Sequence, residues 1–250
     1  KTKNRIAAII PVHMWGNAVN LLDLIPLCKK RNIFVVEDAS ESLGTIYNED
    51  CFYKKHSGTF GDIGCISFNG NKIITSGGGG MIITDNQFFA NKARYLTTQA
   101  KDDPIRYIHN EIGYNFRLTN IQAALGVAQL EKLSLFLQRK KEVFKTYKAN
   151  LDKVDGLKIS NVPNYADNNH WMTTLRINKE SYGIDREQVM KFLQDKSIQT
   201  RPVWAPIHLQ KPYSHFQRFK IEKCEKLVES SLCLPSSTGI EDDDLNYIID

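Results

Sequence analysis

Four short apolar runs predict the strands of a sheet in the first half of the chain. Two uninterrupted runs, at residues 6–12 and 33–36, are typical of parallel strands that are covered on both faces. Residues 58–68 and 81–84 have strand character too. Helical patterns separate these runs, so the order predicts an α/β domain with a mainly parallel sheet.

Apolar residues also recur at helical spacing. The first helical pattern covers 20–31, where Pro26 should kink or shorten the helix. Asp85 is placed to cap an amphipathic helix that ends near residue 99. Thr119 and Gln122 have capping-box spacing, and they begin a long helical pattern that extends to Leu151 with a break near Ser134.

The pattern changes after Gly156. From there the sequence predicts short strands up to residue 176 and over 197–201, and helices from Asp185, over 222–230 and from Glu241. We therefore predict two domains, an α/β domain over 1–133 and an α+β domain over 134–250 that includes the connecting helix.

Two polar stretches are predicted to lie on the surface. Residues 45–56 lack a clear period and predict a surface loop. Residues 138–148, QRKKEVFKTYK, alternate apolar and basic side chains, which favours a solvated helix face.

Composition excludes several classes of function. The 250 residues carry a net charge of +5 with no basic block interleaved with aromatics, so we expect no nucleic-acid partner. No apolar run is long enough to span a bilayer. Five cysteines, an odd number without metal-ligand spacing, predict reduced thiols in a cytoplasmic protein. The first residue, Lys1, is not methionine, which predicts a truncated chain.

Lys72 is the first candidate for catalysis. It lies in the segment SFNGNKIITSGGGGM, between two strand-like runs and before four consecutive glycines, Gly77 to Gly80. A lysine in such a loop, five residues after the Ser67 hydroxyl, suits an aldehyde cofactor that carries a phosphate. A solvated surface lysine is the alternative. A P-loop or a dinucleotide fingerprint is excluded, because a strand rather than a helix follows the glycines.

Polar residues at two other strand ends are further candidates. The segment with His13, Trp15 and Gly16 follows the first strand, at the edge where open α/β sheets bind ligands. Asp38 ends the second, and a buried carboxylate there needs a partner. It either caps a helix or keeps a cofactor ring nitrogen protonated.

The motifs together resemble one family. VVEDASESLG, GDIGCISFNGNKIITSGGGGM, EIGYNFRLTNIQAALG and TRPVWAPIH resemble, in order, segments of the pyridoxal 5′-phosphate (PLP)-dependent sugar aminotransferases of the DegT/DnrJ/EryC1/StrS family. The resemblance implies the aspartate aminotransferase fold (fold type I), with a large PLP-binding domain and a smaller C-terminal domain. Within the family, the sequence is most similar to enzymes that aminate C4 of UDP-linked 4-keto-6-deoxy-N-acetylhexosamines, as in legionaminic acid pathways.

The resemblance also implies roles for single residues. Lys72 matches the Schiff-base lysine, Asp38 the partner of the pyridine nitrogen, and Ser67 a phosphate ligand. Asn115 would reach the phosphate of a neighbouring subunit in a homodimer, and Arg117 and His208 would contribute to the nucleotide-sugar pocket. The positions that match cofactor-binding positions are Asp38, Ala39, Glu41, Ser67, Lys72 and Asn115.

The sequence departs from the family pattern in three places. Glu41 replaces the usual glutamine, Gly78 replaces the usual glutamate, and the N-terminal part of the family fold is absent. A carboxylate at 41 would be repelled by Asp38 unless it is protonated or paired. Glutamate is the expected amino donor, and no metal is expected. A sugar 3-dehydratase, whose relatives replace the lysine by histidine, and a non-catalytic regulatory relative are the alternatives.

Overall fold

A computed structural model describes residues 4–49 and 52–250, so Cys51 lies outside the described residues. The chain divides into two compact units. The first contains the residues up to Leu137 together with Val162–Trp171, and the second contains Gln138–Asn161 with Met172–Asp250. Cys28, Cys65 and Cys224 are free thiols. Among the described residues, no helix is both long and apolar enough to cross a membrane.

The first unit is built on a four-stranded sheet. Its elements, in chain order, are β1 (Ala8–Ile9), α1 (Leu24–Arg31), β2 (Phe34–Asp38), β3 (Ile46–Tyr47), β4 (Ile63–Ser67), β5 (Gly80–Ile83), α2 (Gln87–Thr97) and α3 (Asn120–Leu130). The strand order is β1-β2-β4-β5. β1, β2 and β4 are parallel, and β5 is antiparallel to β4. The predicted α/β fold with a mainly parallel sheet is confirmed.

Element boundaries differ from the predicted ones for local reasons. β1 covers only two residues of the apolar run at 6–12, although Val12 forms an isolated bridge with Asp38. α1 begins at Leu24, and Pro26 lies in its first turn, where no intrahelical N–H is needed. The cap of α2 is Asn86 rather than Asp85, because the Asn86 side chain accepts from the N–H groups of Phe88 and Phe89.

For the described residues 45–49 and 52–56, the prediction of a surface loop over 45–56 is wrong. β3 pairs with β7 (Ala166–Asp167) in a two-stranded antiparallel ladder. Tyr47 and Phe52 are buried with Phe60 close by, and the Tyr47 and Phe60 ring centroids lie 5.0 Å apart. Large aromatics bury enough apolar surface to draw a polar stretch into the core.

The second unit has its own antiparallel sheet. Its elements are α4 (Leu133–Leu151, from Gln138 onward), β6 (Leu157–Ile159), β8 (Thr173–Ile177), α5 (Lys179–Tyr182), α6 (Arg186–Asp195), β9 (Arg201–Pro202), α7 (Glu222–Ser230), β10 (Ser231–Leu234) and α8 (Asp242–Ile249). The order is β6-β8-β10-β9. α3 and α4 carry the predicted long helical pattern, and the break lies before Leu133. The capping box of Thr119 and Gln122 is confirmed.

The basic stretch of α4 is not a purely solvated face. Lys140 is buried, and its Nζ donates to the backbone oxygen and to the hydroxyl of Ser236, the latter at 3.0 Å. Burial lowers the pKa of Lys140 to about 7. The next helical turns explain the burial, since Val143 and Tyr147 lie in the core on the same side of α4.

Candidate active site

Lys72 lies in an enclosed position in the loop that follows β4. Its Nζ lies 4.1 Å from the centroid of the Trp171 ring. Trp171 in turn donates its Nε1–H to the backbone oxygen of Asn71 at 2.7 Å. The Lys72 side chain is only 13% exposed, so the surface alternative is wrong. An ammonium over an indole ring at this distance is a cation–π contact.

The glycines after Lys72 are required by the backbone. Gly77 and Gly79 have φ of +79° and +83°, values that side chains with a Cβ rarely adopt. A Cβ on Gly79 would lie 2.7 Å from Leu118 Cδ1, and one on Gly80 would lie 2.4 Å from the Ile66 oxygen. The glycines therefore let this loop turn sharply and pack closely against β4.

Glu41 faces Lys72. One carboxylate oxygen, Oε2, accepts the backbone N–H of Trp15 at 2.8 Å, and the other, Oε1, lies 3.7 Å from Lys72 Nζ. Burial raises the pKa of Glu41, and the Trp15 N–H and the Lys72 charge oppose that rise. The structure therefore supplies a pairing for the carboxylate that replaces the usual glutamine.

Asp38 is the last residue of β2. Its Oδ1 accepts both the N–H and the hydroxyl of Ser40, at 3.1 and 2.6 Å. No helix begins within residues 39–44, which form turns, so the helix-cap alternative is wrong. The bonds are those of an Asx turn. They leave the second carboxylate oxygen, Oδ2, outside this turn.

Ser67 ends β4 on the same side of the sheet as Asp38. Cys65 is paired with Asp38 in the parallel register of β2 and β4, so their side chains point to the same face of the sheet. Burial, and then the Asp38 charge, raise the pKa of the Cys65 thiol. Ser67 lies two residues beyond Cys65 in β4, so the Ser67 and Cys65 side chains point to the same face of the sheet. The Ser67 hydroxyl oxygen accepts the N–H of Asn69 at 3.3 Å.

Ala39 lies directly behind this site. It is fully buried, and its N–H donates to the Cys65 oxygen at 2.9 Å. A Cβ on Gly58, whose φ is +90°, would lie 2.8 Å from the Ala39 Cβ. The loop at Gly58 therefore packs against Ala39 and supports the end of β2.

The remaining predicted residues make contacts of their own. Asn115 and Arg117 are exposed, Asn115 forms an isolated bridge with Thr98, and Arg117 lines a groove of about 800 Å³ beside β5 and α2. His208 belongs to the second unit, where its Nε2 lies 2.9 Å from Glu225 Oε1. The structure thus groups Asp38, Glu41, Ser67 and Lys72, whereas the other three keep only the roles that resemblance implies.

Sequence reasoning missed Trp171 and Asn169. The Asn169 side-chain amide donates to the backbone oxygens of Glu41 and Leu43, each at 2.9 Å. It also accepts the N–H of Trp171 at 2.9 Å. Asn169 therefore links the Glu41 turn to the residue that covers Lys72. The only available signal was a large aromatic beside two asparagines, in a stretch interpreted as short strands.

The side chains present fit PLP by their chemistry. An amine suits the aldehyde, a carboxylate at the end of a strand suits a protonated pyridine nitrogen, and a hydroxyl suits the phosphate. Lys72, Asp38 and Ser67 supply these three groups.

Comparisons with known proteins agree with this chemistry. Residues 1–250 match the profile of the DegT/DnrJ/EryC1/StrS aminotransferase family. Over 97% of its length, the chain is 38% identical to the putative pyridoxal phosphate-dependent aminotransferase EpsN of Bacillus subtilis, of which it covers 62%. Over 98% of its length, it is 36% identical to the GDP-perosamine synthase of Caulobacter vibrioides, of which it covers 65%.

Solved structures show the same similarity. DesI in the presence of its TDP-sugar product superposes with a TM-score of 0.89 and 25% identity, over 100% of this chain and 62% of that one. The aminotransferase TlmJ from Streptoalloteichus hindustanus gives a TM-score of 0.87 and 26% identity, over 97% of this chain and 64% of that one. The chain thus spans 62–65% of the length of these relatives.

Proposed function

The chain belongs to the DegT/DnrJ/EryC1/StrS aminotransferase family, and from that premise we propose that it is a PLP-dependent sugar aminotransferase. It transfers an amino group from glutamate to the C4 keto group of a UDP-linked 4-keto-6-deoxy-N-acetylhexosamine. The product serves legionaminic-type nonulosonic acid or a related surface-glycan pathway in the cytoplasm. The observation that carries the proposal is Lys72, enclosed between Glu41 and Trp171 beside the strand end that bears Asp38.

Each residue of the grouped site has a distinct task. PLP, when bound, supplies the electron sink for chemistry at the amino-bearing carbon. Lys72 provides the amine that holds the cofactor and afterwards moves a proton as general base and acid. Asp38 keeps the pyridine nitrogen protonated, and Ser67 donates its hydroxyl to the phosphate. Trp171 covers Lys72 and limits the access of water.

We extend the proposal to a homodimer with shared active sites. Apolar side chains are exposed in the segment before α3, where Ile105, Ile112 and Phe116 are 82%, 84% and 71% exposed. Several large apolar side chains exposed in one segment favour a protein partner. In a two-fold dimer, Asn115 and Arg117 of this segment serve the partner's cofactor phosphate and sugar diphosphate.

Complementation tests the shared site. Lys72→Ala and the double variant Asn115→Ala/Arg117→Ala are each expected to be inactive. Mixed dimers should regain activity, because one of the two sites then has Lys72 from one chain and both loop residues from the other. A protein that sediments as a monomer, and mixtures that recover no activity, would show that each chain works alone.

The substrate assay tests the reaction itself. The protein is loaded with PLP and incubated with glutamate and 4-keto sugars linked to UDP, GDP or dTDP, and amino sugars are identified by mass spectrometry. The UDP assignment rests on sequence resemblance, whereas relatives bear names with GDP- and TDP-linked sugars. An amino sugar formed only from the UDP compound supports the full proposal. If the protein prefers the GDP- or dTDP-linked sugar, the nucleotide named in the proposal is corrected. A deoxy sugar formed without amination identifies the dehydratase alternative.

A further inference from the structure

Two titratable side chains, His13 and Glu37, are completely buried beneath the candidate site. His13 Nε2 lies 2.9 Å from Glu37 Oε2. Glu37 belongs to β2, and His13 follows the bridge that extends β1. The proposed reaction uses neither residue. Buried ionisable groups cost free energy unless they are fully paired, so this pair needs a reason.

The hydrogen bonds define the protonation of His13. The backbone N–H of Val19 donates to His13 Nδ1 at 3.1 Å, so Nδ1 carries no proton. We assign the ring proton to Nε2, which donates to Glu37. Both ring nitrogens are thereby engaged, and the plane of the imidazole is fixed.

Glu37 accepts four hydrogen bonds. Besides His13, its oxygens accept the backbone N–H groups of Gly58, Phe60 and Gly61 at 2.7, 2.6 and 2.6 Å. Burial by itself raises the pKa of Glu37, but these bonds outweigh it, and the pKa lies below its ordinary value. The charged carboxylate therefore ties the loop at 58–61 to β2.

The chain segment that carries His13 contacts both of the site residues Asp38 and Glu41. Side chains alternate along β2, so Glu37 points to the face opposite Asp38. The backbone N–H of His13 donates to the backbone oxygen of Asp38 at 3.0 Å. Two residues beyond His13, the Trp15 N–H holds Glu41. The segment at 13–15 thus contacts the backbone of Asp38 and the side chain of Glu41 at once.

We infer that His13 and Glu37 are positioning residues, which hold the backbone at the end of β2 that bears Asp38 and the Trp15 N–H that holds the Glu41 carboxylate. The inference rests on the proposed function for its chemistry. The His13 ring anchors the segment at 13–15 to Glu37, and Glu37 anchors the loop that packs behind Ala39. Loss of either anchor lets the backbone at residues 13–15 and at the end of β2 move, and with it the two carboxylates, while the β1–β2–β4 pairing can persist through its own backbone bonds.

The test compares three variants with one control. His13→Phe keeps an aromatic ring but removes both hydrogen bonds, and Glu37→Gln places a donor opposite N–H donors. His13→Gln is the conservative variant, because its amide can still donate to Glu37. Lys140→Met is the matched control, since it removes another buried, hydrogen-bonded side chain in the second unit.

Three measurements are made on each protein. Hydrogen exchange of the apoprotein reports the backbone of residues 13–16 and 38–41 without any cofactor. The dissociation constant of PLP and the pH titration of its visible band report the holoprotein. For His13→Phe and Glu37→Gln we expect roughly tenfold faster exchange in both segments, PLP bound about tenfold more weakly, and a titration moved by about one pH unit. His13→Gln should restore most of each loss.

A purely structural role predicts a different pattern. His13→Phe and Glu37→Gln would then lower the melting temperature, as Lys140→Met can, and leave exchange at 38–41 and PLP affinity within about twofold of the parent. That result overturns the inference. If the parent protein itself binds no PLP, the proposed function fails, and the exchange measurement alone decides whether the pair positions the strand ends. If Glu37→Gln does not fold, His13→Phe decides, because it leaves the three backbone bonds to Glu37 in place.

Discussion

The contact between Trp171 and Lys72 gives a quantitative prediction for the apoprotein. Trp171→Phe keeps an aromatic face over the ammonium but removes the Nε1–H bond to Asn71, which should lower the free energy of unfolding by about 1 kcal/mol. Trp171→Leu also removes the cation–π contact and leaves a cavity at a position that is 4% exposed. Its expected cost is about 2–4 kcal/mol.

A double-mutant cycle isolates the pairwise contact. The cycle combines Trp171→Leu with Lys72→Met, which keeps an unbranched apolar stem but removes the charge. At 4.1 Å between Nζ and the ring centroid, and with little solvent, the coupling energy should be about 1 kcal/mol. The assay is urea unfolding of the apoprotein, followed by tryptophan fluorescence where Trp171 is kept and by circular dichroism otherwise.

An exposed pair in the second unit is the control for that cycle. Lys196 Nζ lies 5.9 Å from the centroid of the Phe192 ring, and Phe192 is 59% exposed. The cycle of Lys196→Met with Phe192→Leu should give a coupling of less than about 0.3 kcal/mol. An equally small coupling for Lys72 and Trp171 would refute the argument that the indole holds the lysine in place.

Three further predictions concern charged groups. Asp38→Asn should keep PLP bound but reduce turnover by at least about a hundredfold, since an amide cannot keep the ring nitrogen protonated; a loss below about tenfold in steady-state kinetics would assign that role to another group. The pKa of Glu41 is raised, so its negative charge destabilises the fold as the pH rises above the ordinary pKa of a glutamate. Glu41→Gln should therefore gain stability relative to the parent between pH 4 and 7 in urea unfolding. A stability difference that stays constant with pH would contradict the direction of the pKa shift. Burial lowers the pKa of Lys140 to about 7, so the free-energy cost of burying this side chain grows as the pH falls from about 10 to 7. The free energy of unfolding of Lys140→Met relative to the parent should therefore be more favourable at pH 7 than at pH 9.5. The opposite order would mean that Lys140 is charged and well solvated by Ser236.

The local parts of the site could be predicted from the sequence. Asp38 ends an apolar run, and Lys72 stands between a strand and a row of glycines, so strand-end reasoning identifies both. The family resemblance added the group that each side chain is expected to meet, the cofactor aldehyde for Lys72 and the pyridine nitrogen for Asp38. The pairing of the Glu41 carboxylate could not be predicted, because it depends on the backbone N–H of Trp15. The backbone at Trp15 has a φ of +53°, in the left-handed region.

Long-range contacts account for what the sequence could not predict. Trp171 and Asn71 are 100 positions apart, and no periodic pattern connects them. Tyr47 and Phe52 lie in a polar stretch, yet they are buried, because the later strand β7 pairs with β3 and the Phe60 ring packs against them. Lys140 has the sequence context of a solvated lysine, and only tertiary packing against the loop at Ser236 buries it.

The attachment of the cofactor to Lys72 is the central claim, and borohydride trapping measures it most directly. The PLP-loaded protein is reduced, digested and analysed by mass spectrometry, with Lys72→Arg as the control and with a second sample incubated with glutamate before reduction. We predict that the reduced pyridoxyl-phosphate group is found on the peptide that contains Lys72, is absent from Lys72→Arg, and is strongly diminished after glutamate, because amino transfer releases the lysine. A label scattered over surface lysines, or one on Lys72 that glutamate does not change, would contradict the account.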